Sequence, residues 1–303
     1  MRVLVTGGSG FLGPYLIGHL AARGDRVLAL ALDPGPLPPG TPFVSADVRD
    51  REALARAVAA EEPEAIVHLA GLSHVGESWK RMADYFDVNV IGTENVVAVA
   101  RGRRLLVAST AEVYGAVPED EQPIPETRKA APRSPYALTK AAAERVALAA
   151  GGVVARLFNL IGAGQSPAFA LPGFAAQLAG IARGAAPPVL KVGNLAARRD
   201  FVHAADAAEA LALLLDRAEP GAVANVASGR ATSIAAALDR LRAVAAVKAR
   251  LEEDPERLRP LDVPMLEGDG ALLRALGWRP RRSLDEALAD LWREAQARAA
   301  RPA

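Results

Sequence analysis

The chain has 303 residues, with 36 Lys plus Arg against 35 Asp plus Glu and a hydrophobic fraction of 51%. That is enough chain to bury a large core in an ordinary globular balance, which excludes a disordered or coiled-coil protein, and a net charge of +1 gives no basic excess for a dedicated nucleic-acid binder. Cysteine is absent, which excludes disulfide scaffolds, thiol catalysis and cysteine-ligated metal sites and fits a reducing compartment.

No run of about 18 apolar residues exists, so no membrane-spanning helix is expected. The Ala-rich run 141–155 is interrupted by Glu144 and Arg145. The opening MRVLVTGGSGFLG is too short an apolar run for a secretory segment, and a cytoplasmic protein is expected.

In chain order, Arg2–Thr6 is a β-branched run ending in glycine and is read as a buried strand. Tyr15–Arg23 has helical spacing and Arg26–Leu32 is the next strand. The prolines of DPGPLPPGTP exclude regular structure before a third strand, Phe43–Ser45. A helix over Asp50–Glu61, a strand over Ala65–Leu69, a helix over Thr93–Arg101 and a strand over Leu105–Ala108 follow. The helix Ala137–Ala150 ends at the Gly151-Gly152 pair, and Val153–Phe158 is the sixth strand. This alternation predicts an α/β fold with a doubly wound parallel sheet. The second half is less regular, with helices over 173–182, 204–217, 233–244 and 283–299 and a strand over 223–226. The expected division is a dinucleotide-binding domain over 1–160, to which about 199–228 returns, and a smaller substrate lobe made mainly of 161–303.

The first strand runs directly into Thr6-Gly7-Gly8-Ser9-Gly10-Phe11-Leu12-Gly13, which opens a helix. Gly7, Gly10 and Gly13 would permit a tight turn, close approach to a pyrophosphate and helix-on-sheet packing, with free helix N–H groups facing the phosphates. Asp33, 20 residues after Gly13 and just past the second strand, is placed to hold a ribose 2′-hydroxyl, which favours NAD over NADP. A turn aspartate before Pro34 is the alternative. No arginine occupies 29–34 to grip a 2′-phosphate, although Arg51 or a more distant arginine could. Asp47 and Val48, after the third strand, are candidates for holding the adenine; Asp47 could equally start a helix.

Tyr136 and Lys140 stand four apart and share one face of the predicted helix. A nearby ammonium would favour the phenolate and lower the tyrosine pKa, and Lys140 could also bind the nicotinamide ribose. The segment Ser109-Thr110-Ala111-Glu112-Val113-Tyr114-Gly115 follows a strand at its C-terminal end, where α/β proteins bind ligands. Thr110 or Ser109 could donate to a carbonyl undergoing reduction, and Glu112 adds a further acid or base.

Together, TGGSGFLG, HLAG (68–71), NVIGT (89–93), STAEVYG, YALTK and RLFNLIGAGQ (156–165) resemble the extended short-chain dehydrogenase/reductase family of nucleotide-sugar enzymes. VGNLAARRDFVHAADAAEA (192–210), NVASG (225–229) and RLRPLDVP (257–264) continue the likeness over nearly the whole chain. FNLIGAGQ, KVGNLAARRDF and the ending GW-x-P (277–280) are most similar to members that reduce the C4 keto group of a GDP-linked 4-keto-6-deoxyhexose to GDP-D-rhamnose. The resemblance implies that Tyr136 protonates the C4 oxygen, Lys140 tunes it and binds the cofactor ribose, and Thr110 polarises the carbonyl. It implies a cofactor site of NAD or NADP that also includes Phe11, Leu12, Leu69, Ala70 and Gly71. Asn159, Arg199 and Arg259 would meet the nucleotide diphosphate, with Ser73, His74 and Glu77 near the substrate. It also implies a homodimer, for which helices 93–101 and 137–150 could supply the interface.

Glu112 matches the position where related 4,6-dehydratases keep the base that removes the C5 proton, so a GDP-mannose 4,6-dehydratase is the competing enzyme. Ala111, in place of the polar residue usual in dehydratases, and the short chain argue against it. A non-catalytic dinucleotide-binding regulator is the alternative of another class; such a protein need not retain Tyr136 and Lys140. The four histidines show no metal spacing, so no metal is expected. The tryptophans are read as core or interface. The arginine pairs 103–104, 198–199 and 281–282 are read as solvated, apart from Arg199.

Overall fold

The computed structural model describes residues 1–257 and 263–300. The first half alternates strands and helices: β1 (Arg2–Thr6), α1 (Gly13–Ala22), β2 (Arg26–Ala31), β3 (Phe43–Ser45), α2 (Arg51–Glu61) and β4 (Ala65–His68). It continues through α3 (Val75–Ser78), α4 (Met82–Phe86), α5 (Gly92–Val99), β5 (Arg104–Thr110), α6 (Pro135–Ala149) and β6 (Val153–Leu157). The second half holds β7 (Asn159–Ile161), α7 (Ala170–Ala182), β8 (Val189–Val192), β9 (Arg198–His203), α8 (Ala204–Arg217) and β10 (Val223–Val226). The remaining elements are β11 (Ala231–Ser233), α9 (Ile234–Ala245), β12 (Arg250–Glu253), β13 (Met265–Leu266), α10 (Ala271–Ala275) and α11 (Leu284–Ala300).

Seven strands form one parallel sheet in the order β10-β6-β5-β4-β1-β2-β3. The strand order reverses at β1 and β4, which places a crevice at their C-terminal ends, where both the glycine loop and the HLAG segment emerge. The sheet strands are continuous apolar runs because both faces are covered. One face packs on α1 and α8 through Leu16, Ile17, Leu20 and Leu211; the other packs on α2, α5 and α6 through Leu54, Val58, Val96 and Ala147. The predicted sheet gains β10 as its seventh strand: Val223–Val226 pairs in register with Val154–Leu157.

A second core lies between α7, α9 and α11, where Phe174, Leu178, Leu238, Leu241, Leu288 and Trp292 are buried. Its sheet, β11-β9-β13 with β7 also pairing β9, consists of strands two to six residues long. Sequence pattern does not predict these strands, because β7, β11 and β13 are too short to show a repeat of period two and β9, RRDFVH, does not alternate apolar with polar residues. Asp200 of β9 ties this sheet to the exit of β10: it accepts from Ser228 N and Oγ, Gly229 N and Gly268 N. Burial pushes the Asp200 carboxyl up, and these donors offset that. Arg282 is not simply solvated, since it ion-pairs with the buried Asp206 of α8, which also accepts from the backbone of Arg281 and Arg282. Trp278 and Trp292 are buried as expected, whereas Trp79 is 42% exposed.

Candidate active site

The glycine loop leaves β1 with Gly7 at φ +68°, where a Cβ would lie 2.6 Å from Ala70 N. At Gly13 a Cβ would lie 2.1 Å from the Gly8 carbonyl oxygen. Both positions therefore require glycine. At Gly10 a Cβ would meet only the Gly7 oxygen, at 3.2 Å, so the outer side of the loop stays open. Helix α1 starts with Leu12 at its N-cap, Pro14 in its first turn and no side-chain cap. Its leading N–H groups are left for a ligand, and the cradle fits a dinucleotide pyrophosphate.

The other sequence-selected cofactor residues border this loop unequally. Phe11 stacks edge-on against Tyr15 at 6.0 Å and borders Gly164, beyond β7. Leu12 is buried. Asp33 is exposed just past β2, where Gly35 brings its turn against Ser9. Asp47 forms an ion pair with Arg49 at 2.6 Å, and these hydrogen bonds hold its carboxyl below the usual range. Val48 is buried against Gly92, and its carbonyl accepts from Asn95 Nδ2. Capping of α2 falls to Asp50, not Asp47. Leu69 N donates to Thr6 O at 3.0 Å, and Ala70 packs its backbone on Gly7. At Gly71 a Cβ would lie 2.9 Å from Asn89 Oδ1 and 3.9 Å from Lys140 Nζ, so the glycine-loop side and the catalytic helix meet there.

Helix α6 is started by Ser134, whose Oγ accepts from Ala137 N, and by Pro135 in the first turn. It buries Tyr136 and Lys140 on one face. The Thr110 hydroxyl hydrogen-bonds the Tyr136 phenol and accepts from Glu112 N at 3.2 Å. Ser109 turns away: its Oγ donates to Glu144 at 2.5 Å. Of the two neighbouring hydroxyls, that of Thr110 is the one facing Tyr136.

The electrostatics correct one expectation. Burial pushes the Tyr136 phenol well above its ordinary value, Thr110 pulls it down, and Glu112 and Tyr85 push it further up. Lys140 is itself drawn down to about 8 by burial, opposed by Glu144. Burial costs the phenolate more than its surroundings return, so the phenol stays protonated at neutral pH, where Lys140 is still largely charged.

Sequence reasoning missed Asn89. It lies in a π-helical turn, Asp87–Ile91, between α4 and α5. Its Oδ1 accepts from Leu72 N at 2.8 Å, and its Nδ2 donates to Leu72 O and to Thr139 Oγ1, both at 3.0 Å. Thr139 Oγ1 in turn donates to Tyr136 O. Asn89 thus clamps the β4 exit to the catalytic helix; the NVIGT string held the signal, without its geometry. Next to it, Thr93 Oγ1 donates to Asn89 O at 2.6 Å, so the buried His68 donates through Nε2 to Thr93 and accepts through Nδ1 from Thr6. Burial, then Lys140, lowers the His68 pKa to about 3, and the ring is neutral.

A cleft of about 530 Å³ is lined by Asn159 and Arg199 as well as His74, Glu77, Phe169 and Phe201; Thr110, Tyr136 and Lys140 do not line it. Arg199 is buried, and one of its NH groups donates to Arg198 O at 2.9 Å. His74 spans the cleft wall, accepting from Glu77 N and donating through Nε2 to Ala168 O at 3.3 Å. Ser73 is exposed beside His74 and does not line the cleft. Trp79 lines it, which accounts for its exposure. Phe169 and Phe201 were missed because they stand 32 residues apart in the chain, at the N-cap of α7 and in β9, and only the tertiary fold brings both to one cleft. Arg259 lies outside the described residues. Among the described residues, no three His, Asp or Glu side chains are placed to hold a metal, and no helix is long and apolar enough to cross a membrane.

Residues 3–227 match the profile of the NAD dependent epimerase/dehydratase family. The chain is 34% identical to a GDP-6-deoxy-D-mannose reductase of Pseudomonas aeruginosa, over 95% of this chain and 94% of that protein. Its fold is similar to a solved structure of RMD from Pseudomonas aeruginosa complexed with NADPH, with TM-score 0.87, 33% identity and coverage of 98% and 99% of the two chains. It is also similar to a UDP-glucose 4-epimerase from Thermus thermophilus in complex with NAD, with TM-score 0.87, 32% identity and the same coverage.

Proposed function

Because the chain belongs to the NAD dependent epimerase/dehydratase family, we propose that it is a cytoplasmic reductase of the C4 keto group of a GDP-linked 4-keto-6-deoxyhexose, forming GDP-D-rhamnose. The observation that carries this reading is the placement of Tyr136, buried on α6 one turn before Lys140, against the Thr110 hydroxyl at the end of β5, where burial favours the protonated phenol. A reduction consumes a proton at the C4 oxygen, so it needs an acid at the start, whereas oxidising a C4 hydroxyl needs a base.

In this reading Tyr136 delivers its proton to the C4 oxygen while the Thr110 hydroxyl donates to the same atom and stabilises the charge developing there. A bound reduced nicotinamide supplies the hydride to C4. Lys140 holds the cofactor ribose beside Gly71, and the glycine loop holds the pyrophosphate. Asp33 takes the ribose 2′-hydroxyl, and Arg49, engaged by Asp47, is not offered to a 2′-phosphate, which supports NAD. Asp47 and Val48 would border the adenine. Arg199, with Asn159 and Arg259, receives the diphosphate. The large-sheet unit, 1–160 with α8 and β10, serves the dinucleotide, and the remainder mainly serves the sugar nucleotide. Exposed Met82 (46%), Ile91 (50%) and Leu138 (46%) on α4, the π turn and α6 support a homodimer built on that face.

Glu112 favours a second reading, a GDP-mannose 4,6-dehydratase, because its charge is felt at Tyr136. Nicotinamide absorbance decides between them. Oxidation of NADH or NADPH by GDP-4-keto-6-deoxymannose supports the reductase and ranks the two cofactors. Keto sugar formed from GDP-mannose, without cofactor oxidation, would identify the dehydratase.

A further inference from the structure

One helical turn beyond Lys140, on the same buried face of α6, stands Glu144. Its carboxylate accepts from Ser109 Oγ at 2.5 Å and from Arg156 Nε and a terminal NH at 2.9 and 2.8 Å. Arg156 lies 4.7 Å over the Tyr114 ring, and Tyr114 OH donates to Asn225 of β10 at 2.7 Å. The carboxylate is thus fixed in place by β5, β6 and, through Tyr114, β10. The bidentate ion pair with Arg156 engages both carboxylate oxygens although the group is buried.

We propose that Glu144 is a positioning residue for the reaction: locked by Ser109 and Arg156, its carboxylate keeps the buried Lys140 ammonium charged. The inference rests on the proposed function only in assigning Lys140 to the cofactor. Burial draws the Lys140 pKa down to about 8, and Glu144 acts against that. The other groups facing this region do not do the same work. His68 of β4 is neutral, and Arg156 of β6 is itself a cation. Tyr136, on the same helix, Tyr85 of α4 and Tyr114 of the turn after β5 are phenols held protonated by burial. Glu112 acts on Tyr136, Glu77 faces the cleft, Asp87 and Glu94 are exposed, and Asp84 pairs with Arg81.

The test uses the low lysine content of the chain, which has only Lys80, Lys129, Lys140, Lys191 and Lys248. In protein labelled with carbon-13 at lysine Cε, the Lys140 resonance, assigned by its loss in Lys140→Met, is expected to titrate near pH 8. In Glu144→Gln it should titrate about one pH unit lower, about a tenfold loss of the charged form on the alkaline side. The alkaline limb of nicotinamide oxidation should move with it. If the single variant does not fold because Arg156 is left unpaired, the double variant E144Q/R156M removes both buried charges and is expected to fold. Its Lys140 titration should move in the same direction. A Lys140 titration that coincides with wild type in either folded variant overturns the proposal. A downward shift without turnover on any keto sugar upholds it and refutes the proposed reaction instead.

Discussion

Ser109 and Thr110 are consecutive at the end of β5, yet their hydroxyls serve opposite sides of the strand: one donates to Glu144, the other hydrogen-bonds Tyr136. The alternation of a strand assigns one to the scaffold and its neighbour to the chemistry. Thr110→Val should therefore lower kcat by about 10²-fold with little change in Tm, as loss of a donor to a developing oxyanion does. Ser109→Ala should cost about 1–2 kcal/mol of stability with a smaller effect on kcat. Steady-state kinetics and thermal unfolding of the two variants separate these outcomes.

Tyr136→Phe removes the proton donor and leaves the ring packing against Tyr85, at 6.3 Å between centroids. Turnover should fall by about 10²–10⁴-fold. Nicotinamide binding, followed by quenching of protein fluorescence, should stay near wild type. Nicotinamide binding without turnover in wild type and variant alike would point to the regulator reading.

Gly13→Ala places a methyl 2.1 Å from the Gly8 oxygen. The loop or the helix must move, at about 1–3 kcal/mol, and the pyrophosphate cradle should be lost with it. Weaker cofactor binding together with a lower Tm is the expected result in calorimetry.

The pH dependence of stability follows from His68. Its folded pKa, about 3, lies below the ordinary value of 6.5. Between those values the unfolded chain binds the extra proton, so this group makes stability fall as the pH drops from 6.5 toward 3 and adds no further loss below. The slope cannot exceed about 1.4 kcal/mol per pH unit for one proton. Urea unfolding at pH 7 and pH 5 should show the loss, and His68→Gln should flatten it.

What was legible in the chain was local. TGGSGFLG between a strand and a helix, and Tyr136 four before Lys140, are short-range patterns, and the fold put each where the pattern required. What was not legible depended on burial or on distant partners. The expectation that Lys140 would acidify Tyr136 failed because spacing reports proximity, not desolvation. The cleft aromatics Phe169 and Phe201 come from a helix N-cap and from a strand without alternation, so no local pattern brings them together. Asn89 was quoted within NVIGT, but its clamp on Leu72 depends on a helix winding that no residue type announces.

That winding carries a consequence for how the gene can vary. Met82–Phe86, Asp87–Ile91 and Gly92–Val99 run as one continuous rod, and the wide middle turn accommodates one residue more than regular winding would. A one-codon deletion within 87–91 would restore the ordinary pitch and leave the two flanks in nearly the same relative rotation, because five residues of the wide winding turn about as far as four of the regular one. Thr93 would still face His68, while the wide turn that presents Asn89 to Leu72 would be gone. The loss should therefore fall on the Asn89 clamp and not on the packing of the helices on either side.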